Sequence, residues 1–150
     1  FDACLNHRDA DFAEQLGAAC PDGIDVYFEN VGGKVFETVL PLFNNFARIP
    51  VCGMIAHYNA TELPPGPNKM SIILRNILTK RLTFRGFIVW DFAEQEPEAL
   101  TTMAGWIQEG TLKFREDFVE GLETAPEALI GLLKGANFGK LVVRVSDDPT

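Results

Sequence analysis

Two short apolar runs, residues 23–29 (GIDVYFE) and 48–53 (RIPVCG), each end in a polar or glycine-bearing turn, with one helical stretch between them. The turns are Asn30-Val31-Gly32-Gly33 and Met54-Ile55-Ala56-His57-Tyr58. Strands joined through a helix pair in parallel with a right-handed crossover, because a twisted strand feeding a helix packs back onto the sheet only that way. Ligands of open parallel sheets lie beyond the carboxyl ends of the strands, so both turns are expected to face one crevice. No G-x-G-x-x-G or P-loop glycine pattern occurs in the 150 residues. The unit therefore reads as half of a nucleotide-binding α/β fold, and the chain as cut from something longer.

The rest of the chain repeats the alternation. Residues 3–6 form a short apolar segment expected to be the tail of a strand entering a loop at His7 and Arg8. Asp11 and Glu14 make a capping-box variant ahead of Phe12, Leu16 and Ala19 at helical spacing, and Pro21-Asp22-Gly23 stops that helix. Phe36, Val39, Leu40 and Phe43 fall at i, i+3, i+4 and i+7, predicting a helix over 33–43 with Pro41 weakening its last turn. Residues 59–68, with Pro64, Pro65 and Pro67, read as a stiffened loop long enough to be functional.

Met70, Ile73, Leu74 and Ile77 define a further helix face, and residues 82–89 read as a strand at the sheet edge. Residues 97–109 read as a helix ended by Gly110. A boundary is expected at Thr111, giving domains 1–111 and 112–150. The second holds a strand (114–119), a helix (124–134) with Thr124 and Glu127 as a capping box, and a closing strand (141–145).

Composition narrows the function classes. Thirteen Lys and Arg against 21 Asp and Glu give a net charge of −8, spread along the chain. Phosphate-tracking surfaces need clustered positive charge, so no nucleic-acid partner is expected. No apolar run reaches the roughly 18 residues of a membrane span. A soluble chain without a membrane partner is expected. Three cysteines, Cys4, Cys20 and Cys52, show no C-x-x-C spacing and suit a reducing, cytoplasmic compartment.

His7 and His57, the only histidines, have no second ligand at zinc spacing, so no metal site is expected. Ser71 and Ser146 lie outside any nucleophile elbow. Cys52 ends an apolar strand and reads as a small buried hydrophobe, while Gly53 lets a ligand approach the main chain. Asn30 either offers its amide to a ligand carbonyl or makes an Asx turn before the glycines; Tyr58 is either a surface tyrosine or a phenol facing a substrate.

The runs DVYFENVGG (25–33), RIPVCGMIAHYN (48–59), LPPGP (63–67), Phe87-Ile88-Val89 and LLKGANFGK (132–140) together resemble the zinc-independent medium-chain reductases. The resemblance is to the prostaglandin reductase, leukotriene B4 12-hydroxydehydrogenase and plant double-bond reductase group, and covers nearly the whole chain. It implies a partial Rossmann-type parallel sheet flanked by helices, plus a C-terminal segment returning to a catalytic domain that precedes this part. It also implies an NADPH cofactor whose nicotinamide end is lined by Asn30, Cys52, Gly53, Met54, Ile55, Ala56, His57 and Tyr58. By the same resemblance Phe87, Ile88 and Val89 contact the carboxamide through their backbone, and Asn137 reaches the cofactor from the C-terminal segment. Where His7 stands the family often has a tyrosine, near the adenosine end.

Tyr58 is then the candidate catalytic residue, orienting the substrate or stabilising an enolate. The implied reaction is hydride transfer to the β-carbon of a small-molecule enone, in an enzyme that pairs into a homodimer at the 82–89 strand. Two alternatives stand beside it: a quinone reductase of the same superfamily, and a non-catalytic α/β module that associates through open strand edges with itself or a partner chain.

Overall fold

The computed structural model describes residues 1–62 and 66–147, so Leu63, Pro64 and Pro65 of the proline-rich loop lie outside the described residues. The chain is an α/β protein and divides into two compact units, Phe1–Ala93 and Glu94–Thr150.

In the first unit the elements run α1 (Phe12–Ala19), β1 (Ile24–Val26), α2 (Gly33–Val39), β2 (Phe43–Val51), α3 (Met70–Lys80) and β3 (Thr83–Gly86). The strands form a parallel sheet in the order β1-β2-β3, as the β-α-β spacing requires. β3 lies at one edge, where the sequence placed it. Strand side chains alternate between faces. Ala47 and Ile49 of β2 accordingly pack into a core with Val39, Leu40, Phe43 and Leu82, against Ile73 and Ile77 of α3 and Phe84 of β3. Ile49 is 1% exposed. Ile49→Val is expected to destabilise the protein by about 1 kcal/mol through lost burial and the gap left behind, read from the urea midpoint.

Several elements depart from the sequence reading. The helix over 33–43 stops at Val39 and passes through a single 3-10 turn, Leu40–Leu42, because Pro41 has no N–H with which to extend an α-helix. Phe43 keeps its burial but opens β2, which starts five residues earlier than the apolar run suggested. Residues 3–6 form no strand; Asn6 instead makes an Asx turn, its Oδ1 accepting from the Arg8 amide at 3.1 Å. β3 is shorter than 82–89, since Val89 already begins a 3-10 segment, Val89–Gln95.

The second unit holds α4 (Glu96–Gln108), β4 (Glu116–Glu120), α5 (Ala125–Leu133) and β5 (Lys140–Arg144). β4 and β5 pair in parallel, and Arg144 reaches across to Glu120 at 2.6 Å. Neither capping box forms. Asp11 accepts from the Gln15 side chain at 2.7 Å, and Thr124 donates its hydroxyl to the Gly121 carbonyl at 2.8 Å.

Candidate active site

The turn after β1 and the turn after β2 interlock. Past Val26 the chain stays extended against β2: Glu29 donates its amide to the Pro50 carbonyl at 2.9 Å. The Glu29 carbonyl accepts from Cys52 at 2.8 Å and from Gly53 at 3.1 Å. Beyond it, Asn30 and Val31 offer their carbonyls to Ile55 (3.2 Å) and Ala56 (2.9 Å). The second turn thus lies along the first, as expected of two neighbouring parallel strand ends.

Asn30, Gly53 and Tyr58 meet at one point. A Cβ on Gly53 would lie 2.6 Å from Asn30 Oδ1 and 2.7 Å from the Tyr58 hydroxyl oxygen, so only glycine lets both polar tips share that space. The Tyr58 hydroxyl accepts from the Met54 amide at 3.2 Å, which leaves its own proton available to a further acceptor. The His57 ring packs against Gly32, its Cδ2 3.3 Å from where a Cβ would stand, and Gly32 takes φ +73°. A side chain there would both strain the backbone and push His57 out.

Cys52 is exposed rather than buried, because Val51 ends the strand and the chain turns outward; Gly53 is the buried residue. Met54, Ile55 and Ala56 are exposed along the turn. Asn30 makes no Asx turn; the amides it would have taken belong to another residue.

That residue is Glu29, which the sequence reading passed over. It is 4% exposed, and its Oε1 accepts from the Val31 and Gly32 amides at 2.7 Å each and from the Tyr27 hydroxyl at 3.3 Å. The signal available was an acidic residue closing an apolar strand immediately before an N-x-G-G turn.

Tyr27 itself packs against Phe36 and Phe43. Burial first, then the charge and hydrogen bond of Glu29, hold its phenol far above the ordinary 10.0. The raised value belongs to the folded state, so the protonated phenol's stabilisation is complete below pH 10 and is lost as pH climbs through the folded value. An ultraviolet alkaline titration is expected to show Tyr27 ionising only as the fold gives way, and Tyr27→Phe is expected to remove that late step.

At the end of β3, Phe87 donates its amide to the Val51 carbonyl at 3.3 Å, bringing a third strand end beside the first two. Its ring lies between Phe28 and Phe92, at 5.8 and 5.7 Å, beside a cavity of about 320 Å³ lined also by Pro50 and Arg85. The Ile88 amide is taken by Asp91 Oδ2 at 3.0 Å, and Val89 is exposed. In the second unit Asn137 donates its Nδ2 to the Gly139 carbonyl at 2.6 Å.

The profile of the family described as zinc-binding dehydrogenase matches residues 1–143. Among the described residues no three His, Cys, Asp or Glu side chains come together in a group that could hold a metal ion. NADPH-dependent curcumin reductase of Escherichia coli (strain K12) is 54% identical over 149 residues, covering 99% of this chain and 43% of that protein. NADP(+)-dependent 2-alkenal reductase of Nicotiana tabacum is 42% identical over 147 residues, covering 97% of this chain and 41% of that protein. The crystal structure of CurA from Vibrio vulnificus in complex with NADPH matches with a TM-score of 0.90 at 52% identity, covering 99% of this chain and 44% of that one. The chain therefore spans less than half the length of the relatives it matches. With the family profile running from Phe1 into the last strand, and with reductases 54% and 42% identical over nearly the whole of it, this chain belongs to the zinc-binding dehydrogenase family, in its medium-chain reductase group.

Proposed function

We propose that this chain is the cofactor-binding part of an NADPH-dependent reductase that saturates the carbon–carbon double bond of α,β-unsaturated ketones or aldehydes without zinc. The observation that supports this most is the meeting of the Asn30 amide and the Tyr58 phenol over Gly53, at the ends of adjacent parallel strands. The NADPH-bound CurA structure and the two NADP(H)-dependent relatives support the choice of cofactor.

When bound, NADPH supplies the hydride that adds to the β-carbon. The chain's residues orient and polarise. Asn30 hydrogen-bonds the carboxamide, with the 52–58 turn forming the wall behind it and Phe87, Ile88 and Val89 closing the far side at the end of β3. Tyr58 donates a hydrogen bond to the substrate carbonyl oxygen, stabilising the negative charge that grows there as the enolate forms, and a proton taken from solvent completes the addition at the α-carbon. A donor placed where charge develops supplies the polarisation for which other enzymes use a metal.

Residues 1–111 belong to the nucleotide-binding domain and residues 112–150 form the return to the catalytic domain. The full-length protein is a homodimer joined through the β3 edge. A cytoplasmic location suits the three free cysteines. Among the described residues no helix is long and apolar enough to cross a membrane. Full-length protein is expected to oxidise NADPH when given an enone and to release the saturated carbonyl. Turnover with quinones but not enones would move the substrate class, and a folded oligomer that ignores NADPH would favour a non-catalytic module.

A further inference from the structure

We infer that Glu29 is a positioning residue for this reaction: its buried carboxylate sets the Asn30 turn against the Tyr58 turn, so that amide and phenol meet over Gly53. The inference rests on the reading of Asn30 and Tyr58 given above.

Glu29 acts on both walls of the site at once. Its side chain holds the first, since Oε1 takes the Val31 and Gly32 amides at 2.7 Å each, short bonds to a charged acceptor. Gly32 is buried, so its amide has no ready exchange for water, and the turn keeps its shape only while an acceptor stands at that place. Its main chain holds the second wall, through the carbonyl that receives the Cys52 and Gly53 amides. The two walls are then stitched by the Ile55 to Asn30 and Ala56 to Val31 bonds, which fix the turn carrying Tyr58. Tyr27 completes the arrangement, bonding the same Oε1 at 3.3 Å and tying it to the Phe36 and Phe43 rings.

No step of the reaction requires this carboxylate to touch the substrate or to exchange a proton. Its effect passes entirely through Asn30 and Tyr58, which separates positioning from a general contribution to stability. Loss of the acceptor should loosen the 30–33 turn and, through the two stitching bonds, the 54–58 turn as well.

The test uses the full-length protein with Glu29→Gln and Glu29→Ala. The glutamine keeps an acceptor at Oε1 but not the charge, and so carries the test if the alanine variant does not fold. In the cofactor-free state, amide hydrogen exchange is expected to quicken in both the 30–33 and the 54–58 segments, about tenfold or more for Glu29→Gln and further for Glu29→Ala. In turnover, Glu29→Gln is expected to lower kcat and kcat/KM together by about tenfold, as misplacement of transition-state groups does, with the NADPH Kd changed less than about threefold. Faster exchange confined to 30–33, or wild-type kcat in both folded variants, would overturn the inference while leaving the functional reading intact. Wild-type protein that binds no NADPH would overturn both.

Discussion

Tyr58→Phe in the full-length protein is expected to lower kcat with an enone by about a hundredfold to a thousandfold, the usual loss when one donor to a developing oxyanion is removed. The substitution keeps the ring and deletes only the hydroxyl. The Met54 amide that the hydroxyl accepts from is exposed, so water can replace the lost acceptor and the turn should survive. Among the described residues the phenol proton has no acceptor, so in the proposed reaction its work falls on the substrate, where the demand is greatest as negative charge gathers on the carbonyl oxygen. An interaction made only in the transition state lowers kcat and kcat/KM equally. NADPH affinity should therefore change by less than about threefold, measured by fluorescence titration. A variant with kcat within about twofold of wild type would remove Tyr58 from the catalytic role, and a rise in KM alone would make it a substrate-binding residue.

The order of elements and their parallel pairing were legible because strand and helix periods differ and because Gly, Pro and Asn mark the joints. The junction of α2 with β2 was not. Phe43 sits at i+7 from Phe36 and is buried either way, so spacing alone could not tell the last helical residue from the first strand residue. Only the missing amide of Pro41 pointed to the break, and its consequence, an abrupt turn into β2, needs three dimensions to see. The site shows the same division. That the 30–33 and 54–58 turns would adjoin followed from parallel strands alone, and Gly53 was singled out for the approach it permits. Cys52 was misread because an apolar run says nothing about where pairing ends; β2 stops at Val51, and the next side chain turns outward. Glu29 was invisible for a deeper reason. An acidic residue before a turn reads as a solvated charge, and its meaning comes from the two amides that the folded turn aims at it.

Gly53→Ala should be nearly as damaging as the loss of the phenol, by a different route. The added Cβ would stand 2.6 Å from Asn30 Oδ1, 2.7 Å from the Tyr58 oxygen and 3.5 Å from the Asn30 carbonyl oxygen. The first two distances cannot be kept, and the atoms that must yield are the ends of side chains rather than backbone. The fold is therefore expected to persist, with only a small shift in the urea midpoint, while both polar tips leave their places. Displacing reacting groups by about 1 Å costs about a hundredfold in rate. Unlike Tyr58→Phe, this change moves Asn30 as well, so NADPH affinity should weaken along with kcat. The double variant distinguishes the two routes. Once the hydroxyl is gone, one of the two clashes is relieved and the donor that the new methyl group would displace no longer exists. Neighbours that share an atom's space are not additive. Gly53→Ala introduced into Tyr58→Phe is thus expected to cost less than about tenfold further in kcat, whereas fully multiplied losses would mean that the two residues do not meet over the same point.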